Sequence, residues 1–194
     1  MTGPAAVPPA VLAAALAFVH EEAGFAQVTT IDRHGFPVGR SMTAFLNDDW
    51  SVDLVQRRSH ARLAQLRRDP RALVTWVGDP APGATNERPH VFDIGRLPPR
   101  AVFVRGTARF MDEQATVACY SRHVARQRAQ GFTRAPLRDA DQVLADLTGV
   151  HLEPYRVRLE GFGTGAQSFD WTLTPPDRTG LVGPPQVGTP QGEP

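Results

Sequence analysis

FAQVTTIDRHGFPVGRSMTAFLNDDWSVDLVQ, residues 25–56, is the stretch whose reading decides the fold. Its first two pieces, FAQVTTID and FPVGRSMTAFL, are rich in aromatic and β-branched residues. They flank Arg33-His34-Gly35, and such runs around a glycine-bearing connection read as a β-hairpin. Asn47-Asp48-Asp49 then links into WSVDLVQ, where Trp50, Val52 and Leu54 alternate with Ser51, Asp53 and Val55 at the period of a half-buried strand. Three consecutive antiparallel strands are expected.

Upstream, Val11, Leu12, Leu16 and Val19 fall at helical spacing, which predicts an amphipathic helix. The segment has no basic leader of the kind a signal peptide carries. Downstream, SHARLAQLRRD places Leu63 and Leu66 on one side of a short helix, and Pro70 disfavours helix at Asp69. ALVTWV returns to the sheet, and residues 79–99 form a loop longer than the ~12–15 residues usual without structure. RAVFVRGTARFM reads as a strand, followed by a helix with Asp112-Glu113 in its first turn and a buried stripe of Val117, Tyr120 and Val124. A helical piece around Val143, Leu144 and Leu147 and a strand YRVRLE with one wet face complete the pattern. The expectation is one mainly β domain with peripheral helices over 1–173: about six antiparallel strands in meander order forming a closed or nearly closed barrel, because closure removes exposed edges. The tail 174–194, mostly Pro, Gly, Thr and Gln, is expected to be disordered.

Composition narrows the function. The net charge is +1 and all 21 basic residues are arginine. That balance argues against a general polyanion binder, so no nucleic-acid partner is expected. No apolar run approaches the ~20 residues of a membrane-spanning helix, and a lone cysteine, Cys119, makes a cytoplasmic location the default. The histidines form no close pair, so no metal site is expected. Gly161-Phe162-Gly163-Thr164-Gly165-Ala166 formally matches a dinucleotide fingerprint but lacks a following helix, and reads as a turn.

One cluster carries chemistry. RRSHARLAQLRRDPR, residues 57–71, holds six arginines and one acid. Ser59 is a good N-cap, yet Arg57, Arg58 and Arg62 near a helix N-terminus oppose its dipole unless an anion is present. A bound phosphate would resolve the conflict, since Arg62 leans back toward the first-turn N–H groups. A solvated basic face is the alternative reading.

Together with this cluster, Gly35-Phe36-Pro37 at the hairpin, the Arg40 to Phe45 strand and Leu66-Arg67-Arg68-Asp69-Pro70-Arg71 make residues 25–78 resemble the pyridoxamine 5′-phosphate oxidase-like superfamily. These are flavin-binding split barrels that include deazaflavin-dependent reductases. The resemblance implies a six-stranded antiparallel split β-barrel of the FMN-binding type. By position it implies that Arg40, Met42 and Thr43 run along the cofactor, that Val55 and Gln56 end the next strand beside it, and that Ser59 and Arg62, helped by Arg58, hold its phosphate. It further implies a homodimer with the cofactor at the subunit interface, an oxidoreductase acting on a small-molecule substrate, and FMN or the deazaflavin coenzyme F-420 as cofactor. Phe45 stands where the oxidase motif has lysine, and 169–173 lacks the oxidase's Arg-Leu-x-Pro ending, which argues against a true pyridoxamine phosphate oxidase. The resemblance assigns no catalytic side chain. A non-catalytic flavin or haem store is the second reading, and a nucleic-acid module the third.

Overall fold

The computed structural model describes residues 7–80, 99–134, 136–164 and 166–173. Strands β1 (Ala26–Ile31) and β2 (Pro37–Met42) form the expected hairpin, in register from Ala26 opposite Met42 to Ile31 opposite Pro37. Asp32 builds its turn: the carboxylate accepts the N–H groups of His34 (2.8 Å) and Phe36 (2.9 Å), and Gly35 takes the left-handed backbone at φ 84°.

After Met42 the chain departs from a meander. Two residues, Thr43 and Ala44, carry it to β3 (Phe45–Leu46), which pairs with β4 (Val52–Arg57) and not with β2. The remaining strands are β5 (Arg71–Val77), β6 (Ala101–Phe110), β7 (Leu147–Phe162) and β8 (Gln167–Thr172). The hydrogen-bonded order is β2-β1-β5-β6-β7-β4-β3, with β8 also on β7 and every pair antiparallel. The described residues thus hold eight strands rather than six. The edge strands β2 and β3 are joined by two residues, so the sheet must roll until its edges meet: a barrel split along that seam. β4 in turn pairs with β7, where Val150 and Leu152 continue the core beside Val52 and Leu54.

β4 differs from its sequence reading in a second way. Trp50 precedes the strand in a turn at φ 69°, and the strand is covered on both faces. Val52 and Leu54 point into the main core, whereas Asp53 and Val55 face the helix α3 (Glu113–Ala129). That second face is a small cluster of Tyr120, Val124, Val143 and Leu147, formed by α3, α4 (Ala140–Asp146) and the start of β7. Leu147, expected in the helix, begins β7.

The helices α1 (Pro9–Ala17) and α2 (Ala61–Arg68) add Val11, Ala15, Leu63 and Leu66 to the main core, whose largest fully buried side chain is Trp76. A π turn (Phe18–Glu22) follows α1 and sets Phe18 edge-on to Phe162 at 5.7 Å. Trp171 on β8 packs edge-on against Trp50 at 5.2 Å. The loop expected at 79–99 falls mostly, and the tail at 174–194 wholly, outside the described residues. No described helix is long and apolar enough to cross a membrane.

An irregularity lies between the two longest strands. β6 and β7 slip register at Arg105/Gly106, with Gly106 opposite Pro154 and Tyr155 left over as a bulge. A Cβ on Gly106 would lie 2.5 Å from the Glu153 carbonyl oxygen and 2.6 Å from Leu152 Cγ. Backbone cannot yield as a flexible side chain does, so Gly106→Ala is expected to destabilise by roughly 1–3 kcal/mol. Thermal unfolding would show this as a fall of about 2–4 °C per kcal/mol; an unchanged midpoint would mean that the bulge tolerates a side chain.

Candidate functional site

The turn Arg57–His60 connects β4 directly to α2. The helix starts one residue later than the sequence suggests: His60 is its N-cap, with extended backbone and no side-chain cap hydrogen bond, while Ser59 lies exposed in the turn. The His60 N–H already closes on the Arg57 carbonyl at 3.0 Å, which uses Ser59 as a turn residue rather than a cap. This register puts Arg62 on the same buried face as Leu63 and Leu66.

Arg62 is 8% exposed. Its Nη1 donates to Gln56 Oε1 at 3.0 Å and to Met42 Sδ at 2.6 Å. Burial pushes its pKa down, and the charge of Arg40 on β2 pushes the same way. Arg62 makes no ion pair among the described residues. Because Gln56 Oε1 accepts from Arg62, its Nε2 must be the free end, and that amide nitrogen is buried without a hydrogen-bond partner. A lone buried charge costs several kcal/mol and an orphaned amide donor about 1–3 kcal/mol. One anion accepting from both Arg62 and Gln56 would offset both costs.

The structure therefore brings together Arg40, Met42, Gln56 and Arg62 from three elements. It takes two other expected residues elsewhere. Val55 packs with Tyr120 and Val124 on the opposite face of β4, as its odd position in the strand requires. Arg58 turns to the α4–β7 junction, donating Nε to the Leu147 carbonyl at 3.1 Å.

Thr43 opens on a different feature, a cleft of about 980 Å³ between the π turn, the Thr43-Ala44 link and the C-terminal end of α3. Arg126 lines it, with its guanidinium 5.0 Å over the Phe45 ring and Nη2 donating to the His20 carbonyl at 2.7 Å. Burial pushes the Arg126 pKa down. The other face of this assembly is His123, whose ring centroid lies 3.5 Å from that of Phe45. A bidentate pair from Arg100 to Glu22, at 2.9 and 2.6 Å, holds the π turn in place. Sequence reading missed Arg126, Phe25 and Phe132: they come from distant segments, and no local spacing joins them.

Behind the cleft, buried Asp53 accepts from His151 Nδ1 (2.7 Å), Arg122 Nη2 (2.6 Å) and Asn47 Nδ2 (3.3 Å). Burial raises its pKa, but these donors outweigh burial and leave it below the ordinary value, while the hydrogen bond to Asp53 holds His151 above its own. Burial pushes the Cys119 thiol up to about 11 although Arg122 lies against it, so this cysteine stays protonated and unreactive at neutral pH.

No family model and no curated protein matches the sequence. Solved structures do. A heme binding protein from Mycobacterium smegmatis superposes with a TM-score of 0.57 at 19% identity over 86% of this chain, which spans 59% of that protein's length. A Clostridium acetobutylicum protein related to general stress protein 26, of the pyridoxinephosphate oxidase family, gives 0.57 at 11% identity, covering 86% and 97% of the two chains. General stress protein 26 from Bacillus anthracis gives 0.51 at 13% identity, covering 84% and 98%. These likenesses show the fold alone: the expected split β-barrel is the one observed.

Proposed function

We propose that this chain binds a phosphate-bearing flavin-type coenzyme, FMN or a deazaflavin, and uses it in an oxidoreduction of a small molecule. The observation that carries the reading is the buried, acid-free Arg62 guanidinium beside the orphaned Gln56 amide. In this reading Arg62 and Gln56 hold the phosphate, Arg40 adds a second positive charge, and Met42 lies beside the bound group, while Thr43, expected along the ring, faces the neighbouring cleft. The residues present fit the group, since the buried Arg62 guanidinium, the unpartnered Gln56 amide and the positive charge of Arg40 stand together. When bound, the coenzyme supplies hydride or electron transfer, and the protein supplies position and electrostatics. A homodimer with the coenzyme at the subunit interface belongs to the same proposal.

The arginines of α2 and its flanks support this reading over a nucleic-acid surface. Arg71 is paired with Asp69 at 2.6 Å, Arg68 donates to the Ile31 carbonyl, and Arg67 stacks on Phe110. The likeness to a heme binding protein brings a second reading, a carrier that binds flavin or haem without turnover.

Titration of the purified protein with FMN, the deazaflavin coenzyme and haem, followed by ring fluorescence and absorbance, tests both. Tight binding of FMN or the deazaflavin, with bleaching by an electron donor and recovery on adding an acceptor, is the expected result. Binding of neither removes the redox reading, and binding of haem alone favours the carrier.

A further inference from the structure

We infer that the cleft beside the seam is a second ligand site, separate from the Arg62 anion site, and that it takes a flat ring compound bearing a carboxylate. That this ligand is the substrate rests on the proposed function; that it binds does not.

The cleft is built for such a molecule. Phe25 is 69% exposed and Phe132 is 64% exposed, and both border it, so two large aromatic side chains stand in water around one cavity. Water contact at these rings is unfavourable, and a flat apolar ring seated between them would remove it. Phe45 forms part of the same wall. Its own ring is already covered by His123, which leaves its edge for a ligand.

The charge pattern names the polar end. Arg126 and Arg134 line the cleft as cations, and Glu21 and Glu22 as acids. Glu22 is neutralised by its bidentate pair with Arg100. Arg126 is half-buried and has no ion pair among the described residues; only Nη2 is engaged, on the His20 carbonyl. Its guanidinium carbon lies over the Phe45 ring, and the N–H groups not engaged on His20 share the guanidinium plane, the fork that grips a carboxylate with two parallel bonds. Thr43 and Ala44 line the cleft while Met42, the residue before them, touches Arg62. The two sites thus adjoin through consecutive residues, ~3.8 Å apart along the backbone.

Isothermal titration of the full chain with 2-naphthoate, and with 2-naphthylmethanol as its neutral counterpart, tests the site. Arg126→Gln is expected to weaken naphthoate about tenfold or more and leave the alcohol nearly unchanged, the pattern of one lost charge-assisted pair. Phe132→Ser, at an exposed position that does not support the core, is expected to weaken both ligands several-fold. Arg62→Ala is expected to change neither. The inference is overturned by no binding to the unaltered protein, or by a loss in Arg62→Ala as large as in Arg126→Gln, which would seat naphthoate at the anion site. It is also overturned if Phe132→Ser turns a dimer into a monomer with naphthoate affinity intact, which would assign the cleft to a second copy of the chain. Naphthoate binding with this mutant pattern, alongside failure of FMN, deazaflavin and haem to bind, would uphold the cleft and sink only the proposed coenzyme.

Discussion

Arg62→Met is expected to weaken FMN or deazaflavin binding by roughly 10- to 100-fold and, in the protein without ligand, to raise the unfolding midpoint. Hydrogen bonds to a charged group contribute about 1.5–3 kcal/mol, which sets the loss of affinity. The gain in stability has a separate cause. Arg62 is 8% exposed and has no carboxylate beside it, while Arg40 repels it. Replacing a buried charge by an apolar side chain of similar length removes that desolvation cost, as seen where buried ionic groups are exchanged for well-packed hydrophobes. Met42 and Leu63 provide an apolar setting for the new side chain. Fluorescence titration and thermal unfolding on the same samples check both halves. A residue kept for structure would behave oppositely: stability would fall and affinity would hold.

Acid is expected to unfold this protein through His123. Burial pushes this histidine down to about 3 from its ordinary 6.5, with Arg122 and Arg126 also disfavouring the cation and Asp53 favouring it. In the unfolded chain the ring takes a proton as pH falls below 6.5; in the folded chain it stays neutral until about 3. The unfolded state therefore binds more protons throughout that window, and stability drops as pH is lowered across it. At about 1.4 kcal/mol per pH unit, the loss amounts to about 3 kcal/mol by pH 4. His123→Leu removes the uptake, so its unfolding free energy between pH 6.5 and 4 should be flatter by that amount in urea titrations. Parallel curves for the two proteins would show that His123 is protonated in the folded state. The Asp53–His151 pair acts at other pH values. Raised His151 contributes stability below its unfolded pKa, and the contribution is lost as pH rises through its folded one; lowered Asp53 loses its share only as pH falls through its own folded pKa, below the unfolded value.

Much of the local structure was legible because it is set by near neighbours. The hairpin at Gly35 follows from a turn that Asp32 and glycine make on their own, and α2 from the spacing of Leu63 and Leu66 against Pro70. The expectation that Arg62 meets an anion came from an electrostatic conflict within one helix start, and the folded chain keeps that conflict: a buried guanidinium beside an orphaned amide. Ser59 failed as a cap because the helix boundary moved by one residue, within the ordinary uncertainty of helix ends.

Other features depended on partners far along the chain. Alternation in 50–56 suggested one wet face, but a strand's second face is wet or dry according to what lands on it, and here α3 arrives from 60 residues downstream to bury Asp53 and Val55. The same holds for β7, read as a helix end and a separate strand: β4, β6 and β8 supply the hydrogen bonds that make Leu147–Phe162 one continuous strand across Pro154.

By itself the sequence determined the first hairpin and its turn, the helices α1 to α3, and that a surplus of arginine gathers at the start of α2, since each is governed by interactions within a few residues. Strand order, the split seam at Thr43-Ala44, the burial of Arg62 against Gln56, and the cleft joining Phe25, Phe45, Arg126 and Phe132 were decided only in the tertiary structure. They are contacts between segments whose separation carries no periodic signal, and their energy exists only once the sheet has rolled and closed.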